Sequence, residues 1–523
     1  MEFGTCIYRI RTQAKLSQAQ FAELFDVSQQ AVQKWESGGS VPDLEKVVRI
    51  AKYFDVSLDS LVMGNDNRVV EEMNRTGIPK PQYQNMHNWE FYSSNLQTEY
   101  EQSVEEGLDL EAYKDVFDAV SRLPNGERKK RLGDVLYDAV ITAEPKEGYP
   151  YAEPSELESI QRVRRGAESL PYDRSALREK LYGAWTGRAC GCMLGKSVEG
   201  IRTNELVPFL KETDNYPMHR YIYRTDLTEE RIAKYKYGFS GRVYADEIDG
   251  MPSDDDTNYT VLAQEVIARY GRDFTPYDMS RAWLKYQGKD AYCTAERVAF
   301  CNFVKGYLPP QSAIYKNPYR EWIGAQIRGD YFGYINPGNP RLAAEMAWRD
   351  ASISHVKNGI YGEMFVAAML AVAASTNDVE AIILGGLAEI PQASRLHESI
   401  LAVMDQFRSG KTQAECFAMI HEKYDEYSAH GWCHTISNAM IVAAALLYGR
   451  GDFARSICMA VETGFDTDCN GATVGSILGM ANGINTIPDY WKKPINGRIH
   501  TSIFGVGTVS ISQCVEKTLT HVK

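Results

Sequence analysis

The chain has 523 residues, of which 44% are hydrophobic and 24% charged, and its formal net charge is -12. That length allows about three average domains, or one large domain with a small module. The acidic balance gives no global attraction to nucleic acid or to a membrane, so any DNA contact has to come from a local surface. Ten cysteines are scattered without metal-ligand spacing, mostly in apolar runs, which argues for reduced thiols and a cytoplasmic protein. Met1-Glu2-Phe3-Gly4 lacks a signal-peptide pattern and no window holds 18 uninterrupted apolar residues, so neither a leader nor a membrane span is expected.

Residues 1–65 read as five short helices. Ser17 and Gln20 are spaced for a capping box at the start of one helix, and Ser28 opens the next, Gln29 to Glu36, after a three-residue connection. That is the length a helix-turn-helix requires. Helical spacing turns Ala31, Val32 and Trp35 inward and leaves Gln29, Gln30, Gln33 and Lys34 outward, side chains suited to base edges and phosphates. Leu16-Ser17-Gln18, Val27-Ser28-Gln29, Trp35-Glu36-Ser37-Gly38, Pro42-Asp43-Leu44 and Val56 to Leu61 resemble the Cro/C1-type helix-turn-helix domain. The resemblance implies DNA binding through Gln18, Ser28, Gln29, Gln30, Gln33 and Lys34. The segment carries seven Lys and Arg against eight Asp and Glu. Phosphate neutralisation is therefore weak, and specific binding requires a homodimer reading two half-sites. A helix-turn-helix kept for protein interaction is the competing reading.

From about 66 to 95 the chain turns polar, as a linker does. Residues 96–142 regain helical periodicity on either side of Leu123-Pro124-Asn125-Gly126, which predicts a helical hairpin. Its basic run, Arg128 to Arg131, reads as the solvated face of a helix. A Pro/Gly/Tyr-rich junction from Glu144 to Pro154 leads on. The expected domains are therefore 1–65, a linker with hairpin over 66–150, and 151–523.

Two features organise the last domain. Glycines recur every fourth residue at 183, 187, 191 and 195, and again at 471, 475, 479 and 483. A glycine inside a helix costs about 1 kcal/mol relative to alanine, so each stripe has to be offset by close approach of another backbone. The second feature is a pair of acidic runs, Asp254-Asp255-Asp256 and Asp466-Thr467-Asp468, each just before an apolar-periodic segment. Like charges held together face water or hold cations. An acidic helix start is also favoured by the helix dipole. Met364 to Ala374 and Ala439 to Leu447 read as buried helices, strand-like alternation is scarce, and the fold class is all-α: an orthogonal helical bundle with acidic groups at one end.

Gly191 to Gly200, Asp254 to Thr257, Ser354-His355 and Gly464 to Asp468 resemble, in that order, the motifs of the ADP-ribosylglycohydrolase family. The resemblance spans roughly 175–515. It implies an all-α hydrolase with a binuclear site of two divalent cations, Mg2+ or Mn2+, that releases ADP-ribose from a protein or small-molecule acceptor. Asp254, Asp255, Asp256, Asp466 and Asp468 are the implied metal positions, and Glu199, Asp256 and Asp466 the implied catalytic ones. Gly329, Asp330 and His355 are implied to touch the nucleotide. Asp254 stands where the family usually has Thr or Ser, Cys192 replaces a frequent Asp, and Cys469 replaces a frequent Thr. An extra carboxylate raises the negative charge of the site, and a thiol is a poor ligand for magnesium. The alternative is a transcription regulator that senses ADP-ribose or a related nucleotide with little or no turnover; a weaker third reading is an N-glycosidase of another ribosylated metabolite.

Overall fold

The computed structural model describes residues 2–14, 16–54, 61, 87–235, 238–239 and 241–523. The chain divides into two compact units, Met1–Lys80 and Pro81–Lys523. The expected fifth helix of the first unit, apart from Leu61, and most of the polar linker lie outside the described residues.

In the first unit, α1 (Glu2–Gln13), α2 (Gln18–Leu24), α3 (Gln29–Glu36) and α4 (Leu44–Tyr53) start at caps written in the sequence. Ser17 Oγ accepts the Gln20 N–H while Gln20 Oε1 accepts that of Ser17; Ser28 and Asp43 cap α3 and α4 in turn. Phe3, Ile7, Phe21, Phe25, Val32, Trp35, Val47 and Ile50 form the core. Arg11 holds Glu36 through two hydrogen bonds, at 2.6 and 3.2 Å, and so fixes α1 against the end of α3.

The second unit is helical, with one small antiparallel pair, β1 (Arg498–His500) and β2 (Thr508–Ser510). Its first helices are α5 (Leu96–Glu105), α6 (Lys114–Ser121) and α7 (Glu127–Ile141), the last two joined through the predicted Pro-Asn-Gly break. The first of these, α5, packs on the bundle through buried charges. Arg320 pairs with Glu99 at 2.7 Å and Glu106 at 2.5 Å, Gln102 donates to Glu321 at 2.5 Å, and Lys357 reaches Glu106 at 2.9 Å. Breaking such a pair leaves an uncompensated buried charge, a loss of about 3–5 kcal/mol.

At the centre lie α8 (Leu177–Lys196) and α12 (Thr467–Asn482), packed antiparallel, with α9 (Asp255–Tyr270), α10 (Lys357–Ala373) and α11 (Thr435–Gly449) around them. The two glycine stripes face each other: Gly183 meets the backbone of Gly479, Gly187 that of Gly475 and Gly191 that of Gly471. A methyl group at any of these positions would overlap the opposite carbonyl. Gly195 continues the contact to the backbone of Thr467 and Asp468, and Thr467 Oγ donates to its carbonyl at 2.9 Å. The stripes thus bring the end of α8 against the start of α12, which is where the chemistry-bearing residues collect.

Candidate functional site

The two acidic runs open α9 and α12, where the positive ends of the helix dipoles moderate their repulsion. Asp254 is the N-cap of α9 and Asp466 that of α12. Asp256 is the common member of two groups, Cys192/Asp254/Asp256 and Asp256/Asp468/Cys469, in each of which one ligand atom per residue lies within 4.8 Å of the others.

Asp256 is fully buried and held by Arg188 from the middle of α8. The guanidinium contacts Asp256 Oδ1 at 3.1 Å, donates to its backbone carbonyl at 2.8 and 2.9 Å, and pairs with Asp330 at 2.9 Å. Asp256 Oδ2 has no hydrogen-bond partner, and neither has Asp468 Oδ1. Burial and the neighbouring carboxylates push Asp256 and Asp468 well above the usual carboxylate range. Half-buried Asp255 rises for the same reason, with Asp254 and Glu199 as its nearest negative neighbours. Carboxyls crowded in this way retain protons or bind a cation, and the orphaned oxygens fit the second state.

Asp466 is anchored through its N–H, which donates to Asn438 Oδ1 at 3.2 Å; Asn470 donates to the same oxygen at 2.8 Å. Cys433 Sγ lies 3.7 Å from Asp466 Oδ2. The preceding Phe465 is buried with φ +60°, a left-handed conformation that costs a non-glycine residue about 1–3 kcal/mol. That strain turns the chain into α12 at Asp466. Glu199, solvent-facing beyond the end of α8, has its carboxyl raised to about 7 by the surrounding protein and by the charges of Asp466 and Asp254.

Asp254 differs from its neighbours. Lys196 Nζ sits 2.6 Å from its Oδ2, while its Oδ1 accepts the Cys192 thiol at 3.3 Å and the Asp256 N–H at 3.0 Å. Although burial opposes it, Lys196 holds this carboxyl below the usual range. The extra negative charge expected from Asp254 is therefore cancelled by Lys196.

The three positions expected at the nucleotide have protein partners. Asp330 is fully buried on Arg188, the Gly329 backbone lies against the Glu363 carbonyl, and His355 Nδ1 is hydrogen-bonded with the Ser354 hydroxyl at 2.8 Å. Arg328 is an ion-pair partner, buried among Glu296, Asp350 and Glu363. Sequence reasoning left Arg188 and Lys196 without a role. A single charge within the glycine-striped run 183–195 was the available signal for the first.

A third group, Glu105/His430/His434, also clusters within 4.8 Å. Trp322 Nε1–H donates to His430 Nδ1 and the Ile436 N–H to His434 Nδ1, each at 3.1 Å. The ring hydrogens therefore sit on Nε2 and point at Glu105, 3.2 and 3.6 Å away. Glu105 Oε2 is thus held by the His430 ring, while His434 Nε2 has no hydrogen-bond partner.

On the first unit Gln29, Gln30, Gln33 and Lys34 are exposed along α3. Ser28 is its cap. Gln18 is half-buried and donates to Glu36 at 2.6 Å.

Residues 173–513 match the family model described as ADP-ribosylglycohydrolase. The chain belongs to the ADP-ribosylglycohydrolase family. Residues 7–61 match the model described as Helix-turn-helix. Among curated proteins, an HTH-type transcriptional activator, BcrR of Enterococcus faecalis, is 38% identical over 81 residues, which is 15% of this chain and 40% of that protein. Among solved structures, the chain is similar to one described as an ADP-ribosylglycohydrolase-related protein complex, at 18% identity and a TM-score of 0.41, over 66% of this chain and 98% of that one. This family is generally metal-dependent, and the clusters above supply candidate ligands. Among the described residues no helix is long and apolar enough to cross a membrane.

Proposed function

We propose that the second unit is a divalent-cation-dependent hydrolase that releases ADP-ribose from an ADP-ribosylated acceptor, and that the helix-turn-helix unit binds DNA. The observation that carries the reading is the meeting of two acidic helix starts at which Asp256 Oδ2 and Asp468 Oδ1 are buried without a protein partner. Asp255, Asp256, Asp466 and Asp468 are the residues that would hold two cations, Mg2+ or Mn2+. Bound there, such ions lower the pKa of a water and orient ribose hydroxyls.

The chain's own groups do the rest. Arg188 fixes Asp256, and Asn438 fixes Asp466 through its backbone. Glu199, with a carboxyl near neutrality, accepts a proton from the attacking water. The remaining carboxylates stabilise positive charge developing at the anomeric carbon. Gln29, Gln30, Gln33 and Lys34 face the DNA, and a dimer reads two half-sites.

The test is incubation of the purified chain with Mg2+ or Mn2+ and ADP-ribosylated arginine, serine or nucleic acid. Free ADP-ribose is expected, and its release is abolished by Asp256→Ala or Asp466→Ala. Tight ADP-ribose binding without turnover of any substrate would replace the hydrolase reading by a sensor. Retardation of the protein's own upstream DNA in a gel, lost in Gln33→Ala/Lys34→Ala, checks the DNA-binding half.

A further inference from the structure

Three buried cysteines stand beside aspartates of the acidic centre, and their thiols are placed differently. Cys192 donates to Asp254, whose other oxygen is taken by Lys196, so that group is internally satisfied. Cys433 lies 3.7 Å from Asp466 Oδ2. Cys469, one residue beyond Asp468 on the first turn of α12, groups with Asp256 and Asp468, whose Oδ2 and Oδ1 are the oxygens without partners. Asp256, Asp468 and Cys469 are 0%, 3% and 6% exposed, so water is a scarce competitor there.

We propose that a cation seated on Asp256 and Asp468 takes the Cys469 sulfur as a further ligand, so that this seat selects a thiophilic divalent cation such as Zn2+ or Co2+ over Mg2+. Two carboxylate oxygens and one sulfur form a mixed hard and soft donor set. Thiolate favours the later first-row ions, whereas Mg2+ requires oxygen ligands in near-octahedral array. As the sulfur–metal bond forms the S–H bond breaks and its proton leaves to solvent. The inference rests on the reading that Asp256 and Asp468 hold a cation, and at this seat it puts a thiophilic ion in place of Mg2+. A thiol at position 469 would otherwise be a small buried side chain with no bearing on metal choice.

The test uses Co2+ as probe on the full-length protein. Wild type is expected to show thiolate-to-Co2+ charge-transfer absorption that is lost in Cys469→Ser and retained in Cys192→Ser and Cys433→Ser. By calorimetry, Co2+ affinity in Cys469→Ser should fall by at least the ~10–100-fold that outer-shell partners of metal ligands carry, with Mg2+ affinity unchanged. Cys469→Thr, which keeps the volume and supplies a hydroxyl, should behave as the serine variant and guards against misfolding of one substitution. Co2+ binding without the sulfur band, or loss of the band in Cys192→Ser instead, overturns the proposal and leaves the hydrolase reading standing. Failure of Co2+, Mn2+ and Mg2+ alike to bind in a manner sensitive to Asp256→Ala overturns both.

Discussion

The starts of α9 and α12 carry similar acidic sequence yet hold their charge in different ways. At the first, Asp254 has both oxygens engaged, by Lys196, by the Cys192 thiol and by the N–H of Asp256. Deeper in, Asp256 Oδ2 and Asp468 Oδ1 are buried with no protein partner, and Arg188 neutralises only one side of Asp256. The difference teaches that a run of aspartates is not one object. Its members are sorted by what the facing helix offers, and here α8 offers an ammonium and a thiol to Asp254, a guanidinium to Asp256 and only the glycine backbone at Gly195 to Asp468.

The sharpest break of that comparison is to remove one carboxylate from each class. Asp468→Asn is expected to cost on the order of a thousandfold in ADP-ribose release, because cation-supplied stabilisation of several kcal/mol goes with it. Asp254→Asn should cost less than about tenfold. Equal losses in a steady-state assay would show that Asp254 is also a ligand. Next in size is Lys196→Met, which leaves Asp254 buried and unpaired and should lower stability by about 3 kcal/mol. Adding Asp254→Thr should recover most of that in urea denaturation, since the orphaned charge is then gone.

A pH titration sharpens the comparison from the α12 side, where Asn438 on α11 positions Asp466 and His434 caps α11. Burial lowers His434 to about 4 from its ordinary 6.5. Above 6.5 the ring is neutral in both folded and unfolded chains and costs nothing. Between 6.5 and 4 the unfolded chain takes up a proton that the folded one refuses, so stability falls with pH through that window by up to about 3 kcal/mol. Thermal midpoints at pH 7 and pH 5 in wild type and His434→Gln check it: the variant should have a flatter profile. The smallest effect is expected from Gly475→Ala, which presses a methyl against the Gly187 carbonyl. Overpacking there should cost about 1–3 kcal/mol in denaturant unfolding, with activity falling because the start of α12 moves relative to α8.

Much of this was legible in the chain because it is local or periodic. Ser17-x-x-Gln20, Ser28 and Asp43 specify their caps through contacts within one turn, and the break at Pro124 to Gly126 is a property of those residues alone. The glycine stripes predicted a close backbone partner, and finding two stripes of equal period was enough to expect a shared core. Arg188 was readable in principle, as a single charge inside a run of small residues. The packing of α5 on Arg320 and Glu321 was not, since pairs more than two hundred residues apart leave no spacing to detect.

The sequence by itself determined the helical class, the two units' characters and the acidic, glycine-striped helices, because propensity, capping and periodicity act over a few residues. Only the tertiary structure decided which aspartate is neutralised and which is left open, and which cysteine stands beside the open oxygens. Those outcomes depend on the antiparallel register of α8 against α12 and on what α8 presents to α9, where a charge or a thiol becomes significant only through its neighbours in space.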